Sequence, residues 1–193
     1  MNEKTSESAS ALESIREAQS LYKKDRKRGW SELNRIFRAG KPPEPPLEGP
    51  CKGELIAVKM APGVTQLVEF LTSFWMPWLG KRMFPDEARG DNIFGKKSRW
   101  IMRILYPIYR KMTDIEAETF SAFVFKTRVD TGIEDTDLKV FKIDYDSPDN
   151  PKLSIRPIVD ELLQVDDGVY LGKVHFKWCG SWTMIAYFLL LPG

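Results

Sequence analysis

The sequence predicts an α+β fold in which a mostly antiparallel β-sheet closes into a barrel and the helices lie in the N-terminal half. Helical spacing of apolar residues is confined to residues 11–111, and alternation with a period of two begins at Thr119. The final apolar run, Met184–Leu191, is hydrophobic on both faces. A half-solvated strand would alternate, so this run favours barrel closure or a sheet covered by helices.

Composition and charge narrow the class of protein. The chain of 193 residues is 42% hydrophobic and 12% aromatic, enough for a real core. The net charge of +2 is too close to neutral to indicate a nucleic-acid partner. Its distribution is uneven, because residues 51–113 carry 11 basic and 5 acidic side chains and residues 114–193 carry 8 and 14. Such asymmetry marks either a surface for an anionic partner or two parts that face each other.

Several features favour a cytoplasmic location. Cys51 and Cys179 have neither metal-type nor CxxC spacing, which is typical of free thiols in a reducing compartment. The N-terminal stretch MNEKTSESAS lacks the apolar core of a signal peptide. No apolar run approaches the roughly 20 residues that a membrane-spanning helix needs.

Residues 1–50 are predicted to form a helical, partly disordered extension, and residues 51–193 a single β-rich barrel-like domain. A first helix begins near Ala11, after ten polar residues that are expected to be disordered, and a second begins at a Ser31 cap. Leu33, Ile36 and Phe37 form the apolar side of this second helix. A proline-rich strap, KPPEPPLEGP, then connects the extension to the barrel. The basic run YKKDRKRGW (Tyr22–Trp30) is interpreted as a solvated face or a patch for anionic partners.

After the strap, Gly53–Met60 reads as a strand, and residues 62–75 form an amphipathic helix that Pro77 stops. A further helix over residues 96–112 should kink or end early at Pro107. Its apolar residues lie on one face and are Trp100, Ile101, Ile104, Leu105 and Ile108.

The alternating second half predicts the strands of the barrel. Strand patterns occur in four segments, TFSAFVFKTRV, DLKVFKIDYD, GVYLGKVHFKW and SWTMIAYFLLL. A fifth segment, SIRPIVDELLQV, fits a strand or a short helical turn. The turn-like DDG at Asp166–Gly168 and CGS at Cys179–Ser181 make three successive strands antiparallel neighbours. The total expected is five to eight strands.

Catalytic templates are largely missing. The sequence contains no GxSxG, P-loop or dinucleotide-binding glycine pattern, and its single histidine excludes a multi-histidine metal site. The sequence therefore indicates no particular cofactor. The candidate acids and bases are His175, Asp160 and Glu161. His175 lies between Lys173 and Lys177 on one strand face, and it is either a surface residue or a polar group pointing into a barrel cavity.

The stretch WMPWLGKRMFPDEARGDNIF (Trp75–Phe94) is the strongest binding candidate. An apolar wall with convergent polar groups is typical of a small-molecule pocket, and Trp75 and Trp78 are followed here by Lys81 and Arg82. The stretch is expected to hinge at Gly80 and to end in a charged loop with RGDNIF as an exposed turn. The alternative is a packed corner that seals one end of the sheet.

Several short motifs carry a resemblance to a known family. GELIAVKM, WLGKRMF and DELLQVDDGVYLGKV resemble the bacterial GXWXG-type proteins of unknown function, which are similar in turn to lipocalin-like barrels. The likeness covers about residues 52–190. It departs at the family's Gly-x-Trp-x-Gly opening, since the tryptophan is missing after Gly53. The resemblance implies a lipocalin-like barrel that binds an apolar ligand, and it supplies no catalytic residues.

Three functions remain open. The first is binding of a hydrophobic, anionic small molecule in a barrel cavity, with Lys81, Arg82 or His175 at its polar end. The apolar lining would comprise Trp75, Trp78, Tyr170, Phe176 and Trp182. The second is a metal-independent isomerase, cyclase or dehydratase that uses Asp160, Glu161 or His175. The third is a peripheral membrane or protein-interaction module, in which basic segments contact anionic lipid and Trp75, Trp78 and Trp100 lie at the interface.

Overall fold

The computed structural model describes residues 3–59 and 78–193, with side chains from Ala11 onward. The predicted helix over residues 62–75 and its stop at Pro77 lie outside the described residues. The described helices are α1 (Glu3–Lys24), α2 (Arg26–Arg38) and α3 (Arg99–Leu105). The strands are β1 (Gly49–Val58), β2 (Trp78–Phe84), β3 (Arg89–Gly95), β4 (Thr113–Glu116), β5 (Thr119–Thr131), β6 (Lys139–Asp144), β7 (Ile158–Asp166), β8 (Val169–Trp178) and β9 (Ser181–Pro192).

The strands form a closed antiparallel barrel. The sheet order is β3-β2-β1-β9-β8-β7-β6-β5-β4, and an additional pairing of β3 with β5 closes a ring of eight strands. The short strand β4 pairs with β5 outside this ring. The α+β prediction with a closing antiparallel sheet is confirmed. The three neighbouring C-terminal strands, β7 to β9, also pair as the turn signals predict.

The stretch from Trp78 to Phe94 differs from its prediction. The sequence predicts a bend at Gly80 followed by a charged loop, but the stretch forms the hairpin of β2 and β3. RGDNIF lies within β3, and Asp91 and Asn92 are buried rather than exposed. Gly80 lies inside β2, where a Cβ atom would be 1.9 Å from the carbonyl oxygen of Cys51 on β1. The glycine therefore permits close strand contact at an irregularity in the β2–β3 register instead of a hinge.

Helices α1 and α2 pack on the outside of the barrel. The apolar residues of α2 predicted from helical spacing, Leu33, Ile36 and Phe37, are buried in a second core with outward-facing residues of β7, β8 and β9. Helix α2 begins earlier than expected, because Asp25 rather than Ser31 is its cap and accepts a hydrogen bond from the Arg28 amide at 3.0 Å. Helix α1 also begins earlier, at Glu3.

Helix α3 ends before Pro107, as predicted, and the apolar face of the predicted helix is exposed. Trp100, Ile104 and Ile108 expose 63%, 68% and 89% of their surface. The buried residues of this region are Met102, Tyr106 and Tyr109 instead. The rings of Tyr106 and Tyr109 lie 5.5 and 4.9 Å from that of Phe123 in the barrel core, so these tyrosines rather than the apolar face of α3 pack against the core.

The antiparallel order gathers the connections β1–β2, β3–β5, β6–β7 and β8–β9 at one end of the barrel, which we call the loop end. Among the described residues, the connections 96–112 and 145–157 at this end are long. The turn between α1 and α2 also lies there, because the Tyr22 hydroxyl donates to the carbonyl oxygen of Val58 at the end of β1 (2.5 Å). These long connections, the kind of segment that often carries functional residues, therefore lie at one end of the molecule.

Candidate functional site

A polar cluster lies inside the barrel and is formed by Lys81 of β2, Asn92 of β3, Asp160 of β7 and Tyr145, which follows β6. Nζ of Lys81 lies 2.8 Å from Oδ2 of Asp160 and donates to Oδ1 of Asn92 at 3.0 Å and to the Tyr145 hydroxyl. The Tyr145 hydroxyl lies 3.2 Å from the same carboxylate oxygen of Asp160, to which it donates. All four side chains are buried, with Lys81 exposing 2% and Asp160 none of its surface. We call this group the interior cluster.

Trp78 and Asn92 hold the cluster to the barrel wall. The indole Nε1 of Trp78 donates to Oδ1 of Asn92 at 3.1 Å, and Nδ2 of Asn92 donates to the carbonyl oxygen of Phe123 at 3.1 Å. Asn92 thus accepts from Lys81 and Trp78 while it donates to the backbone of β5. Because its amide is satisfied on both sides, its orientation is fixed, and Lys81 meets a preformed acceptor.

Four aromatic rings surround the ammonium group of Lys81. Its Nζ lies 5.0–5.4 Å from the ring centroids of Trp78, Phe125, Tyr145 and Phe188. Such distances allow cation–π attraction, which is strongest where water is excluded. The rings therefore supply part of the stabilisation that water would give to an exposed ammonium.

Glycines on neighbouring strands make room for three of these rings. A Cβ atom added at Gly53 would lie 2.4 Å from the Trp78 ring, one at Gly90 2.4 Å from the Phe125 ring, and one at Gly172 2.1 Å from the Phe188 ring. Any larger residue would displace the ring that it faces. Gly53, Gly90 and Gly172 thus make room for the rings around Lys81.

Burial shifts the pKa values of the ionisable groups in the cluster. Desolvation lowers the pKa of Lys81 and raises the pKa of Asp160, and the attraction between the two charges opposes both changes. Desolvation also raises the pKa of Tyr145 well above its ordinary value, so this hydroxyl remains protonated. Among the described residues, Oδ1 of Asp160 is buried without a hydrogen-bond partner. An ionisable set with shifted pKa values in an apolar surrounding is a typical feature of functional sites.

The residues predicted for the site are only partly brought together. Trp78, Lys81 and Asp160 meet in the interior cluster, although the sequence assigns them to different roles. Sequence reasoning misses Tyr145 and Asn92. Tyr145 continues the inward alternation of Phe141 and Ile143, which is a usable signal. Asn92 gives none, because its segment has the pattern of a turn.

The other predicted binding residues are dispersed. Tyr170 and Phe176 are buried in the barrel core. Arg82 is paired with Asp91 at 2.7 Å. Trp182 is only partly buried, and its ring lies 5.5 Å from Nζ of Lys177. Trp75 lies outside the described residues.

Glu161 and His175 lie on the outer face of the barrel wall, opposite to Asp160. Both are fully buried there, so His175 is neither a surface residue nor a group in the barrel interior, the two interpretations that its sequence allows. Its Nδ1 is 3.9 Å from Oε2 of Glu161, too far for a direct hydrogen bond. Desolvation, followed by the charge of Lys173, lowers the pKa of His175 to about 3. Desolvation raises the pKa of Glu161 to about 7.

Lys173 lies on the same outer face and is also buried. We call Glu161, His175, Lys173 and Asp135 the outer group. Nζ of Lys173 donates to Asp135 and, at 2.7 Å, to Oδ1 of Asn34 on helix α2, and it lies 4.4 Å from the Phe37 ring centroid. Asp135 also pairs with Arg38 at the end of α2 (2.5 Å). These contacts join α2 to the barrel wall, so the outer group has a structural role that needs no ligand.

An open cavity lies at the loop end, next to the interior cluster. Its volume is ≈ 590 Å³, and its described lining consists of residues 105–111 and 148–152. Tyr109 forms part of the wall, and its hydroxyl accepts a hydrogen bond from the amide of Phe123 at 2.6 Å. Asn150 forms another part and donates to the carbonyl oxygen of Tyr145 at 2.8 Å. Two wall residues therefore contact residues that also contact or belong to the interior cluster.

The cavity has an apolar wall and a basic edge. Leu105, Tyr106, Ile108 and three prolines supply the apolar part of the lining. Arg110, Lys111 and Lys152 are the cations at the edge. Lys111 lies 3.8 Å from Asp149, whereas no ion pair with Arg110 or Lys152 is present in the described part of the chain. None of the residues that line this cavity is among the binding residues predicted from the sequence.

Comparisons with known proteins support the fold. No family model matches the chain, and a search of curated proteins gave no match either. A crystal structure of a protein from Thermomonospora curvata is similar, with a TM-score of 0.52 and 16% sequence identity over 94% of this chain and 99% of that one. At this identity the similarity shows a shared fold, and it carries no information on function.

Proposed function

We propose that this protein binds a hydrophobic small molecule with an anionic end at the loop end of its barrel. The observation that carries the proposal is the ≈ 590 Å³ cavity with its apolar wall and basic edge. Pockets for small molecules commonly have this volume and combine apolar walls with a few charged groups. The fold is consistent with such a role, since barrels of about eight strands can hold one small ligand.

The lining divides into two parts that match two parts of an amphiphilic ligand. Tyr106, Tyr109 and the prolines offer apolar contact to an alkyl or isoprenoid chain. Arg110 and Lys152 are available to a carboxylate or a phosphate, since no carboxylate of the described residues neutralises them. A ligand without an anionic group would use only the apolar part, so the acid and its ester should bind differently.

The first test is native mass spectrometry and calorimetry with oleate and with methyl oleate, which lacks the carboxylate. We expect oleate to bind with 1:1 stoichiometry and the ester to bind about tenfold more weakly, which is roughly 1.4 kcal/mol. The double variant Arg110→Gln and Lys152→Gln should weaken oleate binding to the level of the ester. Lys139→Gln, at the opposite end of the barrel, is the matched control. Equal binding of acid and ester, or no binding of either, would contradict the proposal.

Metal-independent acid–base catalysis is a second candidate function, and the interior cluster favours it. Lys81, Tyr145 and Asp160 are mutually hydrogen-bonded, and desolvation raises the pKa of Asp160 above its ordinary value, as is common for catalytic acids and bases. On a substrate with a carbonyl group, an isomerisation, cyclisation or dehydration can begin with removal of the proton beside that carbonyl. Glu161 and His175 are separated from this cluster by the barrel wall, so Asp160 alone among the three predicted acids and bases would act.

Hydrogen–deuterium exchange tests this second candidate without a known substrate. Hydrophobic ketones such as 2-decanone are incubated with the protein in D₂O, and deuterium uptake beside the carbonyl is followed by mass spectrometry. We expect uptake that is faster than with buffer alone and that is lost in Asp160→Asn but retained in Glu161→Gln. Uptake that is equal in the wild type and in Asp160→Asn would rule out a role for the interior cluster in proton transfer.

A further inference from the structure

The loop end of the barrel has an unusual concentration of exposed hydrophobic side chains. Nine large hydrophobic residues are exposed in the described part of the chain, and eight of them lie at the loop end. The exception is Val129, near the other end of β5. Six of the eight belong to the two long connections, including α3, and we call five of these, Trp100, Ile104, Leu105, Ile108 and Leu153, the apolar rim. A group of this kind on one side of a protein indicates a surface that contacts a partner or a membrane.

The apolar rim is embedded in positive charge. Residues 96–111 contain six basic and no acidic side chains. Of these six, Arg99 pairs with Asp114 at 2.5 Å and Lys111 lies 3.8 Å from Asp149. The others, among them Arg103 within α3, form no ion pair with any residue in the described ranges. Cations that are interspersed with exposed Trp and Ile on one surface match the two layers of an anionic membrane, its charged headgroups and its apolar interior.

A second basic segment lies at the same end. The run between Tyr22 and Trp30 contains Lys23, Lys24, Arg26, Lys27 and Arg28, and the hydrogen bond from Tyr22 to Val58 places it beside the end of β1. The opposite end carries acidic groups, including Glu134 and Asp137 on the β5–β6 connection and Asp167 on the β7–β8 turn. Positive charge is therefore concentrated at the apolar rim and in the basic run beside it, and it would attract an anionic planar surface to this end.

We infer that the loop end docks on the surface of an anionic membrane, with Trp100, Ile104 and Ile108 inserted at the headgroup level and Arg103 beside the lipid phosphates. This inference goes beyond the proposed ligand binding and does not depend on it. The two are spatially related, because Leu105 and Ile108 belong both to the rim and to the lining of the cavity. A docked molecule would hold the cavity entrance against the bilayer, where hydrophobic anions are concentrated.

Vesicle flotation tests the inference. The full chain is mixed with vesicles of phosphatidylcholine alone or of phosphatidylcholine with phosphatidylglycerol. We expect flotation only with the anionic vesicles, and strong weakening when salt is raised from about 0.05 M to about 1 M, because the Debye length then falls to about 3 Å. Absence of binding to anionic vesicles at low salt would overturn the inference.

Variants separate docking from ligand binding. Arg103→Gln should weaken binding to anionic vesicles roughly fivefold, as expected for one surface cation. The double variant Trp100→Ser and Ile104→Ser should weaken it at least about tenfold, because both apolar contacts are lost. Val129→Ser and Lys139→Gln, at the other end, should leave binding unchanged. None of these positions lines the cavity, so oleate binding should stay at the wild-type level even where docking is lost.

Other occupants of the rim would give different results. If the rim were an interface between two copies of this chain, light scattering would show a dimer that Trp100→Ser and Ile104→Ser convert to a monomer, and vesicle binding would be absent. If the apolar rim bound a neutral apolar partner instead, neither Arg103→Gln nor added salt would weaken the binding of that partner. Either result would overturn the inference.

Discussion

Lys81 and Asp160 form an ion pair inside the barrel, with Nζ and Oδ2 2.8 Å apart and with both side chains almost completely buried. The two residues are far apart in the sequence and meet only because β2 and β7 line the same interior. A buried pair of this kind contributes little when it is replaced as a whole, but the loss of one partner leaves an uncompensated charge. The interior cluster therefore makes a specific prediction about stability.

The single substitutions Lys81→Met and Asp160→Asn should each lower the free energy of unfolding by about 3–5 kcal/mol. The double variant should lose clearly less than the sum of the two, because neither charge then remains alone. Urea denaturation of the four proteins measures this cycle. If the double variant lost the full sum, the two side chains would not be coupled in the folded protein.

Glu161 should make stability depend on pH. Its folded pKa of about 7 lies above the ordinary value near 4.5, so its carboxyl group becomes charged at a cost as pH rises from about 4.5 to about 7. Glu161→Gln removes this cost and keeps an acceptor for the Ile133 amide. We expect the variant to gain roughly 2–3 kcal/mol relative to the wild type between about pH 5 and about pH 8.

The pKa of His175 is shifted in the opposite direction to that of Glu161, and His175 is present in both the wild type and Glu161→Gln. Its folded pKa of about 3 lies below the ordinary value of 6.5, so its contribution is complete above about pH 6.5 and is lost as pH falls towards about 3. The difference between Glu161→Gln and the wild type therefore isolates Glu161. The exposed Glu116→Gln is the matched control and should show a constant difference. A constant difference for Glu161→Gln as well would show that its carboxyl group is not desolvated.

Gly172 should be intolerant of a side chain because its position lies under the Phe188 ring. A Cβ there would approach Cζ of Phe188 to 2.1 Å, and that ring packs edge-on against Trp78 with centroids 5.8 Å apart. We expect Gly172→Ala to lower stability by about 1–3 kcal/mol. Combining it with Phe188→Leu should give a smaller loss than the sum of the two single variants. Thermal unfolding of the four proteins tests this, and simple additivity would contradict the close contact.

Asp135 and Asp137 both form an ion pair with Arg38, but their contributions to the free energy of unfolding should differ. The side chain of Asp135 is 9% exposed and also holds the buried ammonium of Lys173, whereas that of Asp137 is 63% exposed. Asp135→Asn should cost about 3 kcal/mol because Lys173 loses its carboxylate. Asp137→Asn should cost less than about 1 kcal/mol, as is usual for exposed ion pairs. Equal losses in urea denaturation would show that Lys173 does not depend on Asp135.

Much of the fold could be predicted because its signals are local. Local signals include the alternation in β5, β6 and β8, the apolar spacing of Leu33, Ile36 and Phe37, and the stop at Pro107, and each acts over a few residues. In the structure, most of SIRPIVDELLQV forms strand β7 (Ile158–Asp166) rather than a helical turn, and Asp160 and Glu161 therefore lie on opposite sides of this strand and do not share one site.

The interior cluster and the apolar rim were decided by tertiary structure. Asn92 meets Lys81 and Trp78 through the β2–β3 hairpin, and Tyr145 meets Asp160 through the pairing of β6 with β7. Only the closed ring of strands brings these two pairs together in one interior. The apolar spacing of α3 determined that its hydrophobic residues share a side of the helix. That this side is exposed follows from distant contacts, in which Tyr106 and Tyr109 pack on Phe123 in the core. Periodicity specifies which side of an element is apolar, whereas the neighbour that covers it depends on how the whole chain packs.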